Sequence, residues 1–520
     1  MKAAIANSLW LAGCLPDYAR FQHAARNVRA EQESILRRIL AANAGTEFGR
    51  SHGFASIRDL AEYPRRVPLR DYDELRPWID RIAAGASNVL TREPVRLFEP
   101  TGGSAGGSKW IPYTASLQRE FQRGIRAWMA DLFLHDPALL DGRAYWSVSP
   151  AGAPGGRTSG GVPIGFEDDT HYVGGWQRRL ARAVMAVPAE VRLIPDMDEF
   201  RYATLLHLCR ARDLKLISVW NPAFLSLLME RLTEWRDRLA HDLPGRAAEL
   251  RSGEPLWPSL RLISCWTDAN AAGPAAALAA MFPRARIQGK GLIATEGFVS
   301  FPLAGYQHCA LAVRSHFLEF LPEGSEIPLM AHELDAGQRY RVVMTTGGGL
   351  YRYKLGDIVE VTGFVESCPL VRFLGRSGYI SDWFGEKLNE AHVSRVMQDC
   401  FTGLGMTPRF AMLACEPETP AAYVLYIDTP GPDEVVERAA ARIDEGLREN
   451  FHYSYARHLG QLEAVRVFRA DAASEAYFGA GVQGGRRAGD IKPRALDCGS
   501  GWRRVFEGDP ARGRISSRLV

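Results

Sequence analysis

Five short segments carry residue types whose order points to nucleotide chemistry. The first reads Thr101-Gly102-Gly103-Ser104-Ala105-Gly106-Gly107-Ser108-Lys109. Glycines let main-chain N–H groups converge on anionic oxygens, hydroxyls add donors, and lysine supplies a compact positive charge. That is the chemistry of a triphosphate cradle. The Walker spacing, GxxxxGKS or GxxxxGKT, is absent, because Ser108 precedes Lys109 and Trp110 follows it. The same loop holds Gly102-Gly103-Ser104-Ala105-Gly106, the spacing of a serine-hydrolase elbow with Ser104 as nucleophile. An elbow needs a helix directly after the nucleophile, whereas Pro112 disfavours helix at Ile111. No HGGG oxyanion motif lies upstream. The plain alternative to both readings is a flexible surface loop.

The second segment is Gly291-Leu292-Ile293-Ala294-Thr295-Glu296-Gly297. It places a hydroxyl and a carboxylate at a strand end. Mg2+ takes few carboxylates together with phosphate oxygens, so Glu296 beside a phosphate cradle is a candidate metal contact; a solvated turn is the alternative. The third, Gly349-Leu350-Tyr351-Arg352-Tyr353-Lys354-Leu355-Gly356-Asp357, ends in a carboxylate suited to both hydroxyls of a ribose. A hairpin with exposed charges would look the same. The fourth runs from Gly375-Arg376-Ser377 to Gly385-Glu386-Lys387-Leu388-Asn389-Glu390. The fifth is Asp490-Ile491-Lys492-Pro493-Arg494, where Pro493 holds Lys492 extended. Only seven of the 63 basic residues are lysine, and four of these seven lie in the five segments. A chain that uses arginine for generic cations keeps lysine where a compact ammonium is needed.

The rest of the chain must position these groups. Of its 520 residues 46% are apolar and 24% charged, which excludes a wholly disordered chain. That length exceeds one compact core, so two or more domains are expected. No apolar run is long enough to cross a membrane as a helix. A net charge of +3 does not suggest a phosphate-tracking nucleic-acid surface. The eight cysteines are scattered, without CxxC or zinc spacing, as expected of reduced thiols in a cytoplasmic protein. Leu11-Ala12-Gly13-Cys14 superficially resembles a lipoprotein signal, but Asn7 and Ser8 interrupt a short apolar stretch that runs on as helix through Ile39.

Residues 1–85 read as helical, with a polar break near Gly45–Ser51. A strand at Pro94–Phe98 precedes the glycine-rich loop, and a helix runs from Thr114 to about Phe133. Strands at Lys215–Val219 and Arg261–Cys265 alternate with helices, which suggests an α/β core. From Gln338 the pattern turns to β, at Tyr340–Thr346, Asp357–Phe364 and Val371–Leu374. A smaller unit follows a boundary near Leu374–Ser381. It has strands at Arg409–Cys415, Ala422–Asp428 and Glu463–Phe468, and a helix at Asp433–Asn450 burying Val435, Ala439, Ile443 and Leu447. Gly479–Gly489 reads as a mobile loop.

The order of the five segments resembles the adenylate-forming superfamily. The wording is closer to the auxin-responsive-promoter family of acyl acid–amido synthetases, in a form typical of bacteria. The resembling stretches also include Thr46-Glu47-Phe48-Gly49-Arg50, Val67-Pro68-Leu69, Ile111-Pro112, Gly161-Val162-Pro163-Ile164-Gly165 and Glu360-Val361-Thr362-Gly363-Phe364. They span nearly the whole chain.

The resemblance implies a large N-terminal α/β adenylation domain (1–375, binding ATP and acyl acid) and a small, mobile α+β C-terminal lid domain (376–520). It implies a ligase that activates a carboxylic acid as acyl-AMP, releasing pyrophosphate, and passes the acyl group to an amine, usually of an amino acid. ATP and Mg2+ would be the cofactors. Small acids and amines would be the partners, without nucleic acid or membrane, and a monomer is expected. Thr101, Gly102, Gly103, Ser104, Ala105, Gly106, Ser108 and Lys109 would then bind phosphate, with Thr295 and Glu296 as the second nucleotide motif, Asp357 on the ribose and Arg376, at the hinge, as a further nucleotide contact. Lys387, Lys492 and Glu296 would be catalytic. The family loop often reads Ser-Ser-Gly-Thr-Ser; here Gly103 lacks one hydroxyl, which leaves Ser104 as the best phosphate contact. An acyl-CoA ligase of the same superfamily is the runner-up, and a hydrolase using Ser104 the alternative of another class. Trp110, Trp128, Trp220 and Trp266 are candidates for an acyl pocket or for core. Arg123 and Arg126 are candidates for the substrate carboxylate or for a solvated helix face.

Overall fold

The structure is a computed structural model that describes residues 2–101, 109–147, 156–165, 180, 183–252, 255–376, 380–416, 421–484, 491–507 and 513–515. The chain divides into two compact units. The first comprises Met1–Ser218, Arg231–Ser264 and Gln288–Phe373; the second comprises Val219–Glu230, Cys265–Ile287 and Leu374–Val520.

The first unit begins with helices α1 (Lys2–Arg26), α2 (Val28–Asn43), α3 (Glu47–Ser51), α4 (Glu62–Arg66) and α5 (Tyr72–Ala83). The stretch ending in Cys14 is helix: Trp10 and Cys14 are buried in α1, and the Trp10 ring meets Phe133 edge-on at 6.1 Å. The polar break foreseen at Gly45–Ser51 is instead the short helix α3. Thr46 caps it by accepting the Gly49 N–H at 2.9 Å, which satisfies a donor that a helix start leaves open. Gly49 is required there, since a Cβ would lie 2.1 Å from the Asn43 carbonyl oxygen. A full capping box, Asp71 with Glu74, starts α5.

Strands β1 (Leu97–Thr101) and β2 (Lys109–Tyr113) form an antiparallel hairpin. The strand foreseen at Pro94–Phe98 is shifted toward the loop, because pairing with β2 begins at Leu97↔Tyr113 and ends at Thr101↔Lys109. Helix α6 (Ala115–His135) follows, capped by Thr114, whose hydroxyl accepts the Leu117 N–H. A four-stranded sheet runs in the order β3 (Arg143–Trp146), β4 (Leu214–Ser218), β5 (Leu262–Cys265), β6 (Arg286–Gly289), with β3–β4 and β4–β5 parallel. The two-residue strands β7 (Ile293–Ala294) and β8 (Gly297–Phe298) form a minimal hairpin.

An antiparallel sheet then completes the unit. Its strands are β9 (Ser300–Pro302), β10 (Cys309–Leu311), β11 (Phe317–Pro322), β12 (Leu329–Met330), β13 (Arg339–Thr345), β14 (Tyr353–Val365) and β15 (Cys368–Arg376), in the order β12-β11-β13-β14-β15-β10-β9. Its buried side chains join those of the N-terminal helices in one core, including Phe48, Tyr63, Phe98, Phe121, Phe298, Phe317 and Tyr351. Phe48 stacks on Tyr351 at 4.8 Å, so the segment Thr46–Arg50 has a structural task.

Within this core Arg352 makes a two-pronged ion pair with Glu319. Its Nε lies 3.0 Å from both carboxylate oxygens, its Nη2 lies 2.9 Å from one of them, and Nη1 donates to the Val67 carbonyl at 2.8 Å. Both side chains are buried. Removing one member of such a pair strands the other charge out of water. Glu319→Ala is therefore expected to lose about 3–5 kcal/mol of stability, read as a lower urea midpoint. An unchanged midpoint would show that Arg352 finds other partners.

In the second unit, the pair β16 (Ile380–Ser381) and β17 (Leu388–Asn389) leads into a helix, Glu390–Leu404, capped by Asn389 and ended by Gly405 at φ 64°. Strands β18 (Phe410–Glu416), β19 (Ala422–Asp428), β20 (Glu463–Ala470), β21 (Leu496–Asp497) and β22 (Gly513–Ile515) form a mixed sheet, in the order β21-β18-β19-β20-β22. The helix Asp433–Leu447 buries Val436, Ala439, Ala440, Ile443 and Leu447. Val436 takes the place expected for Val435, which is only half-buried. Residues 479–483 belong to the helix Ala473–Gln483 rather than to a loop, because Tyr477, Phe478 and Gly481 are buried. Residues 485–490 lie outside the described residues. No described helix is long and apolar enough to cross a membrane.

Candidate nucleotide site

The β1–β2 hairpin brings Thr101 directly opposite Lys109 at its open end. The intervening candidates Gly102, Gly103, Ser104, Ala105, Gly106 and Ser108 lie outside the described residues. Lys109 is half-buried, its Nζ 5.6 Å from the centre of the Tyr72 ring. The Tyr72 hydroxyl accepts the Trp110 N–H at 2.7 Å, which ties the hairpin to α5. Burial raises the Tyr72 pKa above the usual phenol range, so the hydroxyl stays protonated. Gly161–Gly165 braces the outer edge of β1: the Phe98 N–H donates to the Pro163 carbonyl at 2.9 Å, and the Gly165 N–H to that of Phe98 at 2.7 Å. A strand at 109–113 folded back on 97–101 is not the strand–turn–helix of a hydrolase elbow.

Thr295 and Glu296 form the two-residue turn between β7 and β8. The sequence placed them at a strand end; they are a hairpin turn, and Glu296 is not a solvated carboxylate, being only 3% exposed. The Tyr113 hydroxyl donates to the Thr295 carbonyl at 2.7 Å. Because Tyr113 ends the strand that begins at Lys109, one short strand joins the base of the glycine-rich loop to the Thr-Glu turn.

Asp357 lies in β14, 4% exposed. It shares a row of buried positions with Tyr353, Leu355, Val359 and Val361, and a carboxylate in an apolar row is costly unless it is hydrogen-bonded or paired. The register with β13 jumps here, from Val343↔Lys354 to Arg341↔Ile358, so Leu355, Gly356 and Asp357 bulge opposite Val342. Gly356, at φ 86°, turns the chain where other residues would be strained. Bulges of this kind often re-aim side chains at sites. Arg70 pairs with both sides of this strand's start, its N–H donating to the Arg352 carbonyl and its carbonyl accepting the Lys354 N–H. With Val67 holding the Arg352 guanidinium, the stretch Val67–Arg70 is a brace for β14. Asp357→Ala is expected to weaken ATP binding by about 1.5–3 kcal/mol, the range for hydrogen bonds to a charged group, with smaller changes for acid and amine. Calorimetry with ATP checks this; equal affinity in the folded variant would remove the ribose role.

The remaining candidates lie in the second unit. Arg376 ends β15, half-buried. Lys387 is exposed, with φ 45° and its Nζ 3.3 Å from Asp382. Its turn is held from beneath by Glu386, fully buried, whose carboxylate accepts the N–H groups of Trp383 at 3.0 Å and Phe384 at 2.7 Å and the Tyr423 hydroxyl. Burial, then the Glu386 charge, pushes the Tyr423 pKa up and keeps that donor protonated. Lys492 is also exposed, its Nζ 4.1 Å from the centre of the Trp266 ring. Asn221 donates to the neighbouring Ile491 carbonyl at 3.2 Å. Middle-chain segments thus support the C-terminal lysine inside one unit.

Other candidates take structural places. Arg126 pairs with Asp17 at 3.3 Å, and Arg123 donates to the Arg314 carbonyl at 3.3 Å. Trp220 packs against Trp266 at 5.8 Å, and Trp128 is buried with the Lys290 Nζ 5.4 Å from its ring centre. Sequence reasoning missed Glu319, Glu386, Glu120 and His316. One signal was available for Glu120: it interrupts the apolar face Leu117-Phe121-Gly124 of α6. Among the described residues no group of three or more His, Cys, Asp or Glu is arranged to hold a metal ion. A single buried carboxylate such as Glu296 suits Mg2+ carried in on a nucleotide rather than a resident ion.

Comparison with known proteins follows this geometry. The GH3 family N-terminal domain matches residues 17–249, and the GH3 family central domain matches residues 309–376. Indole-3-acetic acid-amido synthetase GH3.3 of Arabidopsis thaliana is 25% identical, over 85% of each chain. Indole-3-acetic acid-amido synthetase GH3.8 of Oryza sativa subsp. indica is 25% identical, over 77% of this chain and 75% of its own. The solved structure of the GH3.15 acyl acid amido synthetase superposes with a TM-score of 0.81 at 18% identity, covering 96% of this chain and 97% of that one. The AtGH3.15 enzyme in complex with 2,4-DB gives a TM-score of 0.82 at 17% identity, with 98% coverage of both. These show a shared adenylate-forming fold, with a large N-terminal and a smaller C-terminal domain. With two family domains matched over more than half of its length and that fold throughout, the chain belongs to the GH3 family of auxin-responsive acyl acid–amido synthetases.

Proposed function

We propose that this chain is an ATP-dependent acyl acid–amido synthetase, a ligase that forms an amide through an acyl-adenylate. A carboxylate oxygen of the acid attacks the α-phosphorus of ATP, and pyrophosphate leaves. The neutral nitrogen of an amine, in the relatives' manner that of an amino acid, then attacks the acyl carbon, AMP leaves, and the nitrogen gives up one proton to solvent to form the amide. The observation that carries this reading is the tie between the loop base and the Thr-Glu turn, through Tyr113 and Thr295.

In this reading Thr101 to Lys109 hold the triphosphate, Asp357 holds the ribose, and Thr295 and Glu296 face the phosphates. Glu296 would hold Mg2+ brought in on ATP, which would screen the triphosphate charge. Two anions must meet, so the cations Lys109, Lys387 and Lys492 lower the barrier electrostatically. Residues 1–375 bind ATP and acid, and residues 376–520, with Arg376 at the hinge, act as a lid that keeps water from the adenylate. Cysteine usage supports a cytoplasmic setting: none of the eight cysteines forms a disulfide, and burial pushes the thiols of Cys14, Cys209, Cys368 and Cys415 up to about 12.

The test is ATP–pyrophosphate exchange across a panel of carboxylic acids, followed by acceptor competition between amino acids and coenzyme A. Acid-dependent exchange with amide product is expected. A thioester product would assign the chain to the acyl-CoA ligases instead. Labelling of Ser104 by a fluorophosphonate without any need for ATP would make it a hydrolase.

A further inference from the structure

We propose that the buried pair Glu120–His316 is a positioning device for the nucleotide site, setting the Thr295–Glu296 turn and the Gly347 turn against the helix that follows the glycine-rich loop. The inference rests on reading Thr295–Glu296 as a nucleotide-facing segment. Both side chains are removed from solvent, His316 at 0% and Glu120 at 4% exposure. His316 Nδ1 lies 2.9 Å from Glu120 Oε2, and its Nε2 lies 2.9 Å from the Phe298 nitrogen. A backbone N–H can only donate, so Nε2 presents its lone pair and the proton sits on Nδ1, directed at the carboxylate. The imidazole is therefore neutral and spans from α6 to β8, two residues beyond Glu296.

The carboxylate has a second task. Its two oxygens accept the Gly347 N–H at 3.0 and 2.9 Å. The Thr114 hydroxyl donates to the Gly347 carbonyl at 2.9 Å, so both main-chain polar groups of Gly347 are held from the first turns of α6. The approach leaves little room for a side chain at either glycine. A Cβ on Gly347 would lie 2.6 Å from Glu120 Oε1, and one on Gly297 would lie 3.0 Å from His316 Nε2. Together with Tyr113 on Thr295, these bonds fasten both turns to the strand–helix junction that leaves the phosphate loop. Glu120 and His316 lie 196 residues apart in the chain, yet each polar atom of the pair has a partner. A fully satisfied buried network holds one geometry, where packed leucines would allow several.

The pair acts through the turns, so its loss should change their order and the chemistry together. The full chain is compared with His316→Leu, which removes the acceptor, and His316→Gln, whose amide oxygen can still accept the Phe298 N–H. Deuterium uptake over 293–298, Mg·ATP affinity by calorimetry and pyrophosphate-exchange kinetics are measured on each. In His316→Leu the uptake is expected to rise and exchange at saturating ATP to fall about 10–100-fold, the usual loss for a supporting residue one step from a ligand. His316→Gln should recover most of both. Gly347→Ala, which drives a methyl group into the carboxylate, carries the same expectation should His316→Leu not fold. A folded variant with raised uptake but unchanged ATP affinity and exchange overturns the proposal, as does loss of activity without change in uptake. If the parent chain binds Mg·ATP but exchanges with no acid, the synthetase reading fails while ATP affinity still decides this one. If the parent binds no ATP, both fall.

Discussion

Lys387→Ala is expected to lower ATP–pyrophosphate exchange by about 10²–10³-fold, the cost of one transition-state contact. Transfer of acyl from pre-formed acyl-adenylate to the amine should survive. The two late lysines lie in one unit, on separate segments, each held by its neighbours: the buried Glu386 beneath Lys387, and the half-buried Asn221 and Trp266 beside Lys492. A lid that rotates between half-reactions can present them in turn, and we propose Lys387 for the adenylation step, on its spacing from Asp357. Its φ of 45° is an unfavourable conformation for a lysine, retained because Glu386 and Asn450 pin the turn on both sides. Lys387→Arg should not restore exchange, since a planar fork does not replace a compact ammonium. Equal losses in both half-reactions, or none in either, would return Lys387 to the status of an exposed cation.

Glu296→Gln is expected to cost about 10²-fold in exchange, with only partial rescue by raised Mg2+. The substitution keeps shape and hydrogen-bonding capacity but removes the charge. A merely structural Glu296 would lose stability and retain its Mg2+ dependence. A metal-facing one would keep its fold and shift the Mg2+ concentration for half-maximal exchange upward. Full activity at low Mg2+ would remove the metal assignment.

Some of this was legible residue by residue. Elements whose periodicity is local were readable: α6 with its Thr114 cap, the strand Ala422–Asp428, and the run of β-branched and aromatic residues from 339 onward. The family was readable because five segments, none decisive by itself, follow one another in its order and at its spacing. Where the reading slipped, the cause was a partner distant in sequence. The strand before the loop begins at Leu97 because Tyr113 sets its register. Residues 479–483 are helical because Tyr477 and Phe478 find a core. Val436 rather than Val435 faces inward because burial of a helix face is decided by what it packs on.

By itself the sequence determined which groups can do the chemistry and in what order the chain presents them, since residue type and local spacing are properties of the chain alone. Tertiary structure decided what those groups are held by. Glu120 meets His316, Arg352 meets Glu319 and Tyr113 meets Thr295 across separations of 196, 33 and 182 residues. The bulge that carries Asp357 exists only against β13. A buried polar group is stable only beside its partner, and that partner is chosen by the packing of whole elements, which no local pattern records.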